Sequence, residues 1–138
     1  MGRLALLVVL ALAFASAAAA RPEAVAPPAQ PGPWRQLGAA TSKPAKLVSL
    51  ARQLVDPHAL AVVVVSSSKR PIRGTWYSYC EIDSDDGPTE DMSGTLTGTK
   101  RVTKYFSLMK GSTSCQVQVA ARVPGTPKAR VTVAVFGY

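Results

Sequence analysis

The chain has 138 residues, of which 47% are hydrophobic and 17% charged, and its 16 basic and 8 acidic residues give a formal net charge of +8. This length suits one domain, and a single histidine with two cysteines argues against a zinc site. The basic balance favours anionic polymers as partners, but no basic run interleaves with aromatic residues, so we expect no nucleic-acid partner.

The first 20 residues have the parts of a secretory signal peptide. Arg3 supplies a short positive end, an apolar run extends from Leu4 to Ala15, and a small-residue tail ends at Ala20. Such a leader is removed by cleavage after the small residues, and Arg21-Pro22 follows directly. An uncleaved anchor is the alternative, although the apolar stretch is short for a bilayer. We therefore expect a secreted protein, in the extracellular space or the cell envelope.

Residues 21–33 (RPEAVAPPAQPGP) contain five prolines and almost no bulky apolar side chain. A segment of this composition buries too little surface to order itself, so we expect a disordered tether or a ragged mature N-terminus. The foldable part begins at Trp34, and residues 34–138 are expected to form one disulfide-closed domain.

Residues 45–55 carry two overlapping patterns. Leu47, Leu50 and Leu54 recur at helical spacing, which would line one face of a short helix. Residues 46–50 also alternate as a strand does, so both interpretations stay open at this stage. Asp56-Pro57 ends either element, because the residue before a proline avoids the helical region.

From Ala59 onward the chain has the pattern of short strands separated by turn residues. Residues 60–67 form a β-branched run that suits a strand covered on both faces. In the strand predicted at 73–82, Trp76, Cys80 and Ile82 share one face, and Thr75, Tyr77 and Tyr79 share the other. Further strands are predicted at 93–99, 102–108, 115–123 and 129–136, with Lys104 an odd member of an apolar face.

This pattern predicts an all-β fold. Short strands with half-buried alternation favour a two-sheet antiparallel β-sandwich of six or seven strands, immunoglobulin-like or jelly-roll-like. The short helix near 45–55 is the one non-β element that the sequence leaves open.

Cys80 and Cys115 lie on the apolar faces of their predicted strands. In an oxidising compartment a lone pair placed in this way is expected to form a disulfide. The bond would close a loop of 35 residues and contribute about 3–4 kcal/mol in the chain-entropy account. A reactive cysteine would instead need a nearby base, and nothing in the sequence places His58 beside either sulfur.

Part of the chain, roughly residues 60–138, resembles a family. Trp76-x-x-x-Cys80, a hairpin rich in serine and threonine, Ser114-Cys115-x-Val117-x-Val119 and a closing Val-x-Val-x-Val strand resemble the small exported β-sandwich proteins of high-GC bacteria, actinobacteria above all. The resemblance implies a fold and a location, and it carries over no activity. An immunoglobulin domain differs, because its tryptophan follows the first cysteine on a neighbouring strand.

The acidic segment 81–91 holds six of the eight acids and is the strongest candidate for a metal site. Asp83, Asp85 and Asp86 gather hard oxygen ligands on one loop, which is what a weak calcium site requires. The spacing does not match an EF-hand, because Met92 or Gly94 falls where the bidentate glutamate is needed. We favour a solvated hairpin tip whose charges discourage aggregation, and we expect no cofactor.

The sequence contains no serine-hydrolase elbow, no HExxH and no phosphate-cradling glycine loop. His58 is more readily a polar loop residue than an acid–base catalyst. Outward-facing Tyr77, Tyr79 and Tyr105 indicate a carbohydrate or protein contact surface, although cross-strand packing explains them too.

We therefore expect a non-catalytic module that binds by its surface or interacts with the cell envelope. The expected partner is an anionic envelope polymer or another extracellular protein. A structural spacer of the envelope and, less favoured, a small extracellular hydrolase are the alternatives.

Overall fold

Two antiparallel β-sheets pack face to face in the computed structural model, which describes residues 24–83 and 89–138. Sheet A has the strand order β1-β8-β3-β6, and sheet B has the order β2-β7-β4-β5. The predicted two-sheet antiparallel sandwich is confirmed, but the described residues form eight strands and not the six or seven expected. None of the described residues is helical, so none belongs to a helix that could cross a membrane. The strands are β1 (Arg35–Thr41), β2 (Val48–Val55), β3 (Leu60–Ser66), β4 (Pro71–Ile82), β5 (Thr89–Thr99), β6 (Arg101–Phe106), β7 (Ser112–Arg122) and β8 (Val131–Gly137).

The strands pair in a nested way that the sequence did not reveal. β4 pairs with β5, β3 with β6, β2 with β7 and β1 with β8. The eight strands therefore pair as they would in one long hairpin that has folded over to form two sheets. Eight strands in two such sheets form a jelly roll, one of the two sandwich types expected above. Alternation in the sequence shows which residues face inward, but it does not show which strands become neighbours.

The core between the sheets is built mainly from β-branched side chains. Val62 and Val64 of β3 and Val133 and Val135 of β8 are fully buried, and they face Val117 and its neighbours on β7. Such residues fit the pleated inner faces because their stiff side chains pack well against neighbouring strands.

Cys80 of β4 and Cys115 of β7 are joined by a disulfide inside this core, as predicted. The two residues are direct cross-strand partners with their Cα atoms 4.1 Å apart. Both are buried, and Cys115 is fully so. The bond therefore links neighbouring strands of sheet B, and it fixes the register between them.

Of the two interpretations left open for residues 45–55, the short helix is wrong and the strand is confirmed, because residues 48–55 form β2. The strand pairs with β7 from Val48, opposite Ala121, to Val55, opposite Ser114. Val48, Leu50 and Leu54 are buried, whereas Leu47, counted in the helical pattern, is 61% exposed. The helical spacing was a local coincidence, and pairing with β7 satisfies the backbone in the extended form instead.

The outer face of sheet A is apolar and covered by the chain itself. Residues 24–34, which we call the N-terminal strap, lie against it through Val25 and Trp34, and Pro28 is buried. This differs from the free tether expected from composition, because the composition of a segment does not reveal the apolar surface that it meets. The covered face consists of Ala39, Val63, Val65, Ala134 and Phe136.

Polar contacts fix the strap in place. The guanidinium of Arg101 donates to the carbonyl oxygens of Ala26 and Pro27, at 2.8 and 2.9 Å. The backbone N–H of Gln30 donates to the Tyr105 hydroxyl at 2.9 Å, and the Trp34 indole donates to the Gln30 carbonyl at 2.7 Å. Tyr105, predicted as an exposed contact residue, therefore serves to hold the strap.

Aromatic packing holds the C-terminal end of the strap against the domain. The ring of Trp34 lies edge-on to that of Tyr138, with centroids 5.0 Å apart. Gly32 permits the approach of the same tyrosine, because a Cβ at Gly32 would lie 2.7 Å from the ring. The strap is thus part of the folded domain.

We expect the double variant Cys80→Ala, Cys115→Ala to lose about 3 kcal/mol of the free energy of unfolding, since opening the loop restores chain entropy to the unfolded state. Urea unfolding followed by circular dichroism measures this. Reductant should cause a similar loss in the wild type and none in the double variant. An unchanged urea midpoint in the double variant would contradict the prediction.

We expect Trp34→Ala to lower the free energy of unfolding by about 2 kcal/mol, because a half-buried aromatic ring is removed from an apolar face. The same urea unfolding experiment measures it. Leu47→Ala is the control, because Leu47 is 61% exposed and its removal should change little. Equal effects of the two substitutions would show that the strap does not stabilise the domain.

Candidate functional site

The outer face of sheet B is open, in contrast with that of sheet A. A shallow hollow of about 720 Å³ lies on it. Tyr77 and Ala120 are half-buried there, and the other outward-facing residues of the hollow are exposed. The outward-facing residues that line it are Ser49, Ala51, Thr75, Tyr77, Ser93, Thr95, Gln118 and Ala120.

Strand register arranges these residues in rows across the sheet. We call the first the small row, because its members are Ser49, Ala120, Thr75 and Thr95. The neighbouring row, which we call the tyrosine row, contains Ala51, Gln118, Tyr77 and Ser93. The short side chains of the small row form the bottom of the hollow. The longer side chains of Gln118 and Tyr77 project from the sheet beside them.

The two rows that line the hollow carry no charged residue, and charge is confined to the two ends of the face. Arg73 and Arg122 are cross-strand partners on the far side of the small row. Beyond the tyrosine row come Gln53, Gln116, Tyr79 and Asp91, which form a third row. The face is therefore neutral in the middle, basic at one end and acidic at the other.

Tyr77 lies beside Asp91 on the outer face of sheet B. Desolvation raises the pKa of the Tyr77 phenol, and the charge of Asp91 and a hydrogen bond to its carboxylate raise it further. Asp91 lies diagonally across the β4–β5 pair, at a distance that long side chains span. The phenol of Tyr77 therefore stays protonated beside the carboxylate of Asp91.

Trp76 lies beneath the hollow and supports it from inside the sandwich. Its ring covers Gly94, where a Cβ would lie 2.7 Å from the indole, and it meets Phe106 edge-on at 5.1 Å. The Lys104 amine lies 4.8 Å from the centroid of the indole. This cation–π contact explains why a lysine occupies an inward-facing position on β6.

The calcium candidates are only partly described. Asp83 is exposed, and its backbone N–H donates to the Gly111 carbonyl at 2.8 Å. Asp85 and Asp86 lie outside the described residues, so a weak calcium site at this loop stays a prediction. Within 24–83 and 89–138, no group of three or more acidic, histidine or cysteine side chains is close enough to hold a metal ion.

His58 lies in a second hollow of about 420 Å³, at the end of the sandwich beside the β6–β7 loop. Asp56, Lys110 and Ser112 also line it. The Ser112 hydroxyl donates a hydrogen bond to the Met109 carbonyl at 2.8 Å. This bond engages the hydroxyl in stabilising the loop. The arrangement gives no support to a nucleophile activated by His58.

Sequence reasoning found Thr75, Tyr77 and Tyr79 as outward-facing residues of one strand, and their position is confirmed. It did not predict that Gln53, Gln116 and Gln118 lie beside these residues on the same face. Alternation placed Gln116 and Gln118 outward, but only the β2-β7-β4 order brings them beside the tyrosines.

We expect Asp91→Asn to lower the pKa of Tyr77, because the substitution removes the negative charge that disfavours the phenolate. Ultraviolet titration of tyrosinate measures this, and the Tyr77→Phe variant identifies which part of the signal belongs to Tyr77. The shift should vanish when Asp91→Asn is made in the Tyr77→Phe background. An identical titration of the wild type and Asp91→Asn would contradict the pairing.

No protein-family model matches the chain, and neither a curated protein nor a solved structure matches it. A jelly roll by itself does not indicate an activity, because function resides in the site that a fold carries. The chemistry of the open face of sheet B is therefore the basis for assigning a function.

Proposed function

We propose that this protein is an exported, non-catalytic binding module that holds an uncharged polysaccharide of the extracellular space or the cell envelope. The binding site is the outer face of sheet B, centred on Tyr77 and Gln118. The observation that carries the proposal is an open face whose two central rows contain only small, neutral polar and tyrosine side chains. Export is supported by the leader pattern of residues 1–20 and by the disulfide.

The hydrogen-bonding groups of the face match those of a sugar. Sugar hydroxyls both donate and accept, and the amide of Gln118 and the hydroxyls of Ser49, Thr75 and Thr95 do the same. The Tyr77 ring presents an apolar surface on which the C–H face of a sugar ring packs.

The shape of the hollow favours an extended ligand. The small row crosses all four strands of sheet B, and four strands span about 14 Å at the usual strand spacing. A groove of this length, open to solvent on one side, suits several linked sugar units better than one small molecule.

Other partner classes fit the face less well. A protein partner usually places large apolar or arginine anchors at the centre of an interface, and the two central rows offer one half-buried tyrosine. An anionic polymer would need cations along the groove, whereas Arg73 and Arg122 lie at one end only. The neutral middle therefore favours an uncharged chain.

We expect Tyr77→Ala and Gln118→Ala each to weaken polysaccharide binding by about tenfold, since each loses a contact worth about 1 kcal/mol or more. Gln36→Ala, an exposed glutamine of sheet A, is the matched control and should bind as the wild type does. Sedimentation with purified neutral cell-wall polysaccharide, and calorimetry with its fragments, measure the effect.

Salt separates the candidate partners. Binding of an uncharged chain should change little with ionic strength, whereas binding of an anionic polymer should fall steeply and should be lost in the Arg73→Ala, Arg122→Ala variant. Unchanged binding by both Tyr77→Ala and Gln118→Ala would refute the assignment of the face.

A further inference from the structure

The strand β5 is an edge that no described strand covers. It lies last in sheet B and pairs with β4 over eleven residues without a register shift. Its other side therefore presents a long row of backbone N–H and C=O groups. An edge of this kind is a template for pairing with another strand.

The other three edges of the sandwich carry features that block such pairing. β1 has an irregularity between Gln36 and Gly38. On β2, the Arg52 guanidinium folds across to donate to the Leu37 carbonyl at 3.2 Å. β6 has the inward-facing Lys104 and the strap-binding Arg101. Bulges and inward-pointing charges are known protections of free edges.

β5 has none of these features over most of its length. The stretch 92–99 (MSGTLTGT) contains no charge and no proline, and the paired part is regular. Its outward-facing residues are Ser93, Thr95, Thr97 and Thr99. Threonines pair well across strands, so the edge is suited to accept a partner strand.

We propose that β5 pairs antiparallel with β5 of a second copy of this chain, forming a two-fold symmetric dimer. Asp91 lies near the start of β5, and Lys100 and Arg101 follow its end. Antiparallel pairing centred near Thr95 sets the acidic start of each copy beside the basic end of the other. Parallel pairing would set like charges together, so charge selects the symmetric arrangement.

The dimer would join two sheets B into one sheet of eight strands. The outer faces of both copies then lie on the same side, with the threonines of β5 at the junction. The small rows of the two copies approach each other there through Thr95. Pairing through one strand buries a modest area, so we expect weak, concentration-dependent association.

Sedimentation equilibrium of the secreted full-length product over a range of concentrations tests the proposal, with no ligand present. Thr95→Lys and Thr97→Lys place like charges near the symmetry axis, and each should raise the dimer Kd by about tenfold or more. Ser107→Lys adds the same charge to an exposed loop residue away from β5, and its Kd should match the wild type.

A charge exchange tests the orientation. Asp91→Lys and Lys100→Glu should each weaken the dimer, and the double variant should restore it towards the wild-type Kd. Circular dichroism melting verifies that every variant is folded. A wild type that stays monomeric up to about 1 mM, or a dimer indifferent to both lysine substitutions on β5, would overturn the proposal, whatever the outcome of the polysaccharide experiments.

Discussion

The pairing of β4 with β7 is the constraint on which the rest of the structure depends. It sets Cys80 opposite Cys115, Tyr77 opposite Gln118 and Thr75 opposite Ala120 in one continuous register. A slip of one residue would reverse the faces, which would separate the cysteines and turn Tyr77 into the core. The disulfide excludes that slip covalently, so the bond that stabilises the core also sets the arrangement of the open face.

The sequence predicted what is local and missed what depends on distant partners. Alternation along β4 and β7 correctly placed the cysteines inward and the tyrosines outward. It could not place Gln53 beside Gln116, because that contact depends on β2 adding to the edge of β7. β1 was missed for the same reason: its sequence (RQLGAAT) has no regular alternation of apolar and polar residues, and pairing with β8 is what makes it a strand.

The N-terminal strap shows how one local pattern can carry information about a distant segment. Leu60–Ser66 is apolar at successive positions, and it was correctly interpreted as a strand covered on both faces. One face meets the core, and the strap covers the other, where Val63 is fully buried. The composition of the strap suggested disorder, whereas the composition of β3 required a cover. The structure agrees with the composition of β3, because the strap buries apolar side chains of sheet A that would otherwise meet water.

The outer faces of the two sheets differ in exposure because their outward-facing residues differ in chemistry. β7 alternates from Cys115 onward, and Gln116 and Gln118 face solvent between the buried Cys115, Val117 and Val119. On β8 the outward positions are Thr132, Ala134 and Phe136, all of them buried. The outer face of sheet A is thus covered by the chain itself, and the outer face of sheet B stays open as the proposed binding site.

The same strand, β5, lies at the rim of the open face and at the free edge of sheet B, and these positions impose opposing demands. A lysine at Thr95 would protect the edge from pairing, but it would also put a charge at the end of the small row. Keeping Thr95 neutral preserves the uncharged groove and leaves the edge free to pair. The proposed self-association through β5 is compatible with the chemistry of the face, because a long, regular edge that is uncharged over most of its length is a template for pairing.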